Sequence, residues 1–118
     1  MTKEFIPYEQ ALELKKLGFD EPCLSYYEGE SFSYHLATMT SGDDYIIPAP
    51  LFQQAFRWFR EKYMLYLHIV FIEKGWHWDV YHLDRGLVTQ PELKYYHSYE
   101  EAELACLRKL IELIKQNQ

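Results

Sequence analysis

Two runs of alternating residues, Leu67 to Glu73 and Trp76 to Leu83, flank Lys74-Gly75, and no other stretch restricts the fold of this chain as tightly. Successive side chains of a strand point to opposite faces, and a two-residue connection fixes which residues oppose each other. Glycine at the second turn position tolerates the positive φ of a type I′ turn. The resulting register sets Phe71 opposite Trp78, Ile69 opposite Val80 and Leu67 opposite His82. That face reads as core. The reverse face sets Ile72 opposite His77, Val70 opposite Asp79 and His68 opposite Tyr81, a mixture of aliphatic, aromatic and polar groups.

A second hairpin precedes it, with Cys23 to Glu28 and Ser31 to Leu36 around a Gly29-Glu30 turn. Its register pairs Tyr27 with Phe32, Ser25 with Tyr34 and Cys23 with Leu36 on a core face. Leu24, Tyr26, Ser33 and His35 lie on the other. Ser41-Gly42-Asp43-Asp44 reads as a turn, Tyr45 to Ile47 as a short strand, Asp84 to Glu92 as a loop, and Leu93 to Tyr96 as a short edge strand.

Three helices separate and flank these strands. Pro7, whose φ is already helical, opens the first, and Gly18 supplies a left-handed stop after Leu17. Its inward side is Tyr8, Ala11, Leu12, Leu14 and Leu17. The second spans Leu51 to Met64 with an apolar stripe of Phe52, Ala55, Phe56, Phe59 and Tyr63. The third begins at Ser98, where Glu101 three residues on completes a capping box, and runs to Lys115. Ala102, Cys106, Leu107, Leu110, Leu113 and Ile114 form its apolar face.

The order is α-β-β-(β)-α-β-β-(β)-α, over a length suited to one domain, residues 1–118. Hairpins make antiparallel sheets, so the expected fold is α+β, with a single sheet of four to six strands and helices mainly on one face. The expected core includes Phe56, Phe59, Ile69, Phe71, Trp78, Val80, Leu107 and Leu110.

Composition narrows the function classes. A net charge of −6 with no Lys/Arg stripe argues against nucleic acid, because phosphate binding needs clustered cations. No apolar run approaches the ~20 residues that cross a bilayer, and Met1-Thr-Lys-Glu-Phe5 has no signal-peptide character, so the expected location is cytoplasmic. Cys23 and Cys106 fit no metal pattern and read as two buried free thiols.

Each candidate for chemistry has a plainer reading. His68, His77 and Asp79 could converge on a metal, but no cysteine, HExxH motif or pattern of supporting hydrogen-bond partners accompanies them, and a solvated sheet surface is favoured; no metal or cofactor is expected. His82 reads as a buried neutral imidazole with one hydrogen-bond partner. Arg57 and Arg60 beside Trp58 could stack on a base, yet they read better as the wet side of an amphipathic helix. No serine lies in a nucleophile elbow, and the glycines form no phosphate cradle.

Three segments carry a resemblance: Gly18 to Cys23, Gln54 to Tyr63 and Ser98 to Leu107. They resemble small uncharacterised proteins encoded in phages and prophages of Bacteroides-group bacteria. That family has no assigned activity. The resemblance therefore implies a mobile-element origin and a cytoplasmic life inside the host, and it assigns no functional residue.

The expected function is that of a non-enzymatic accessory or adaptor protein acting through protein–protein contacts. The aromatic excess, 18% of residues, suits an interface. The candidate contact surface is His68, Val70, Ile72, His77, Asp79 and Tyr81, used most simply in a two-fold homodimer. An acidic inhibitor of a nucleic-acid-binding host defence protein is the alternative class, and a small enzyme of unidentified chemistry is the third.

Overall fold

The computed structural model describes residues 2–39, 46–91 and 95–117, and among these prolines and glycines punctuate six strands and three helices. The chain divides into two units, Met1–Ala55 and Phe56–Gln118. The class is α+β and both sheets are antiparallel.

In the first unit, a 3₁₀ turn (Thr2–Glu4) leads to Phe5, which bridges Leu51, while the Ile6 N–H donates to the Pro50 carbonyl at 2.8 Å. Helix α1 (Tyr8–Lys16) follows Pro7, and Gly18, at φ +102°, turns the chain out of it. Ala11 and Leu14 are buried as expected, but so is Gln10, whereas Tyr8 and Leu12 are half-buried. Strands β1 (Cys23–Glu28), β2 (Ser31–Met39) and β3 (Ile46–Pro48) form a sheet of order β2-β1-β3. Pro48 sits on an edge strand, where its missing N–H breaks no ladder.

The pairs Tyr27/Phe32 and Ser25/Tyr34 form as expected. Cys23, however, faces Met39 and not Leu36, because the ladder carries an irregularity between Cys23 and Ser25. Tyr34 is 53% exposed, against its expected core position. It lies on an edge strand and rests against the rings of Phe5 and Phe32. The Tyr27 hydroxyl donates to the Ile6 carbonyl at 2.8 Å, tying β1 to the N-terminal segment. The side chains of His35 and Leu36, and the expected turn at Ser41 to Asp44 with Tyr45 after it, lie outside the described residues.

Helix α2 spans Phe52–Tyr63. Phe56 and Phe59 are buried, as the stripe predicts, and Trp58 is buried too. Its ring meets Phe59 at 5.1 Å and Tyr63 at 5.5 Å, under the Lys62 ammonium. A buried indole offers no platform for a base, which removes the stacking alternative at Arg57 and Arg60.

In the second unit, β4 (Leu65–Ile72), β5 (Gly75–His82) and β6 (Gly86–Thr89) form a sheet of order β4-β5-β6. The expected single sheet is thus two sheets of three strands. A strand has only two edges: β3 takes the second edge of β1, and β6, from a segment expected to be loop, takes that of β5. The register of the β4–β5 hairpin also differs. Ile72 pairs with Gly75, so the turn is Glu73-Lys74, with Glu73 at φ +53°. Phe71 therefore faces Trp76, Ile69 faces Trp78, Leu67 faces Val80 and Leu65 faces His82. The slip is two residues in partner number, and an even slip leaves every side chain on its expected face.

Helix α3 (Tyr99–Gln116) lies along β5 and β4. Ser98 Oγ accepts the Glu101 N–H at 3.1 Å, while the Glu101 carboxylate accepts from the His97 N–H at 3.0 Å and not from Ser98. Trp78, Val80, Leu107 and Leu110 are buried as expected; Glu103 and Ile111 are buried as well. Ile69 is half-buried and Phe71 is 57% exposed, so neither is core. Both lie toward the hairpin turn, where Phe71 stacks against Trp76 at 5.3 Å, and Trp76 in turn meets Tyr99 at the first residue of α3. Of the expected strand at Leu93 to Tyr96, residues 93 and 94 lie outside the described residues, and Tyr96 makes an isolated antiparallel bridge to Trp76. Among the described residues no helix is long and apolar enough to cross a membrane.

Candidate interface on the reverse face of the β4–β5 hairpin

The even positions of β4 and the odd positions of β5 share the face away from Trp78 and Val80, because strand side chains alternate. His68, Val70, Ile72, His77, Asp79 and Tyr81 are all on it, as expected from sequence. Their partners are new: His68 opposes Asp79, Val70 opposes His77, Ile72 opposes Gly75, and Tyr81 opposes Tyr66.

The face has a graded chemistry. Tyr66, Tyr81 and Leu87 form a row across three adjacent strands, exposed by 40%, 40% and 49%. Beyond this row, Leu83 donates its N–H to the Met64 carbonyl at 3.0 Å, and both of those side chains are exposed too. Isolated apolar side chains at a surface are ordinary, whereas a contiguous row of large ones marks a contact site. Leu87 and Met64 were absent from the sequence expectation, since the first was assigned to a loop and the second to a helix.

The middle of the face is polar. His68 Nδ1 lies 3.6 Å from Asp79 Oδ1, too far for a hydrogen bond and close enough for an ion pair when the imidazole is protonated. That Asp79 oxygen is buried and has no hydrogen-bond partner among the described residues. His77 stands beside the Tyr95 ring at 6.3 Å, a different partner from that of His68. The two imidazoles and the carboxylate do not converge: among the described residues, no three His, Cys, Asp or Glu side chains could hold a metal ion.

The edge of this sheet is as informative as its face. Strand β4 reads Leu-Tyr-Leu-His-Ile-Val-Phe-Ile, with no formal charge, no proline and an unbroken ladder to β5. Among the described residues its backbone makes no hydrogen bond on the side away from β5. Proteins usually guard such an edge with Lys, Pro or a bulge, and this one carries none of those devices.

Away from this face, burial shifts several titratable groups. Glu103 is buried, and that burial, with the charge of Glu100 added, pushes its carboxyl up to about 7, while the Tyr99 hydroxyl pulls the other way. Burial pushes the thiols of Cys23 and Cys106 up to about 12, which suppresses the nucleophilic thiolate. His82 is buried and its Nδ1 accepts the Asp84 N–H at 3.1 Å, the single-partner arrangement expected of it. Compared with protein-family models, curated proteins and solved structures, the chain matches none.

Proposed function

We propose that this chain is a non-enzymatic adaptor that works through protein–protein contacts, and that its first partner is a second copy of itself. The observation that carries the reading is β4, an eight-residue uncharged strand whose outer edge has no backbone partner among the described residues. Adding a strand to such an edge satisfies a row of N–H and C=O groups at once. A two-fold axis normal to the sheet pairs β4 with its copy in antiparallel fashion and joins the two sheets into one of six strands.

Parity restricts the register. Opposed residues must lie on the same face, so Ile69 on Ile69, with Leu67 facing Phe71 and His68 facing Val70, is the pairing that keeps apolar groups together. It also covers Phe71, the exposed ring that sequence alone places in the core. The reverse faces then become continuous, and the Tyr66, Tyr81 and Leu87 row of each copy flanks the seam as a surface for further partners.

Light scattering tests this. The wild-type chain is expected to be dimeric at tens of micromolar, the ~10⁻⁵ M regime of modest association, and Val70→Lys is expected to make it monomeric. A wild-type monomer at that concentration overturns the dimer. A dimer unchanged by Val70→Lys places the interface elsewhere.

A further inference from the structure

At the end of the second sheet away from the β4–β5 turn, a cleft of about 440 Å³ opens between the last turn of α3 and the β5–β6 connection. Its volume lies within the ~300–1,000 Å³ of ordinary small-molecule sites. One side is apolar: Leu65 and Ile114, both buried, with Leu113 and Val88 beside them. The other side carries Tyr63, His82 and Arg85, with Asn117 closing the helix end by donating to the Leu113 carbonyl at 2.7 Å.

The polar side is lopsided. It has one guanidinium and no carboxylate. Because His82 Nδ1 accepts the Asp84 N–H, the neutral ring carries its proton on Nε2, and that N–H has no acceptor among the described residues. The Arg85 guanidinium likewise has no ion partner among the described residues. The Arg85 guanidinium and the His82 Nε2–H, with no carboxylate in the lining and with the Tyr63 hydroxyl and Asn117 Oδ1 able to serve either polarity, select an anion, and the opposite apolar wall selects one with a hydrocarbon body.

The geometry points to a binding site for an aliphatic monocarboxylate, with its carboxylate between Arg85 and the His82 Nε2–H and its chain along Leu65, Leu113 and Ile114. The reading stands apart from the proposed dimer, since the cleft uses the opposite side of β5 and neither depends on the other. Inorganic phosphate would satisfy the donors but leave the apolar wall wet, so it is the weaker occupant.

The test is a titration of isotopically labelled protein with octanoate, octan-1-ol, octylammonium, acetate and inorganic phosphate, following the backbone amides of Arg85, Leu113 and Ile114. Octanoate is expected to give saturable shifts at those amides, with octanol and acetate each weaker and octylammonium inert. Arg85 is exposed, so Arg85→Gln leaves the fold intact, which its spectrum verifies. That variant is expected to bind octanoate at least about tenfold more weakly, the loss of one charge-assisted hydrogen bond. Leu113→Asn is expected to weaken octanoate while leaving acetate unchanged. Octanol or phosphate binding as well as octanoate, shifts confined to other residues, no shifts at all, or an unaffected Arg85→Gln each overturn the proposal.

Discussion

Gly75 sits against the backbone of Tyr96 so closely that a Cβ at Gly75 would stand 2.9 Å from the Tyr96 carbonyl oxygen and 3.1 Å from Tyr95 Cβ. The approach follows from the antiparallel bridge in which Trp76 and Tyr96 exchange two hydrogen bonds of 2.9 Å. Gly75→Ala is therefore expected to destabilise the protein by ~1–3 kcal/mol through overpacking. Gly29, at φ +60° with open space around it, provides the contrast, because there alanine is disfavoured by backbone conformation alone. Chemical denaturation of both variants, with an amide spectrum at Tyr96, separates the two causes: only Gly75→Ala should move the Tyr96 resonance.

The two phenylalanines that sequence places together in the core should behave differently. Phe59 is fully buried, and Phe59→Ala is expected to cost ~3–5 kcal/mol from lost burial and the cavity left behind. Phe71 is 57% exposed, and Phe71→Ala should cost less than about 1 kcal/mol in the monomer. Urea melts at low protein concentration check this. Equal losses would put Phe71 in the core after all.

Helix α3 depends on its N-cap. Ser98→Ala removes the acceptor for the Glu101 N–H and is expected to cost about 1 kcal/mol. Glu101→Ala removes an acceptor for the exposed His97 N–H, which water replaces, so its cost should be a few tenths of a kcal/mol. Thermal melts of the two variants should therefore rank Ser98 first.

The Glu103 carboxyl makes stability depend on pH in a defined direction. Its folded value of about 7 exceeds its ordinary 4.5, so the folded state binds the proton more tightly than the unfolded one. Its contribution is present in full below pH 4.5 and is lost as pH rises toward 7, with a total on the order of 3 kcal/mol. Glu103→Gln should flatten that part of the profile and raise stability at pH 8. A variant whose profile keeps the wild-type slope between pH 5 and 7 would assign the effect to another group.

Both cysteines should be silent in the native state. Cys23 and Cys106 are buried with thiols pushed up to about 12, so alkylation at neutral pH should proceed at the rate of opening, and fast in denaturant. Rapid labelling of either thiol in the native protein would contradict its burial.

Local pattern determined much of this molecule. Alternation in Leu67 to Leu83 dictated which residues share a face, and the face survived a two-residue difference in register because strand geometry repeats every two residues. Gly18 and Ser98 marked a helix end and a helix start, because left-handed φ and capping are satisfied within a few residues. What neighbours decide was not legible. The turn moved to Glu73-Lys74 because Gly75 is needed where Tyr96 approaches, a contact 21 residues away in sequence. Gly86–Thr89 became a strand because β5 had a free edge, and Glu103 was buried by its place on α3 despite its charge. The six face residues could be named from alternation alone. The unguarded edge of β4 and the donor-rich cleft at His82 and Arg85 came only from the tertiary structure, because an edge is defined by which strands are absent beside it, and a cleft by elements far apart in the chain.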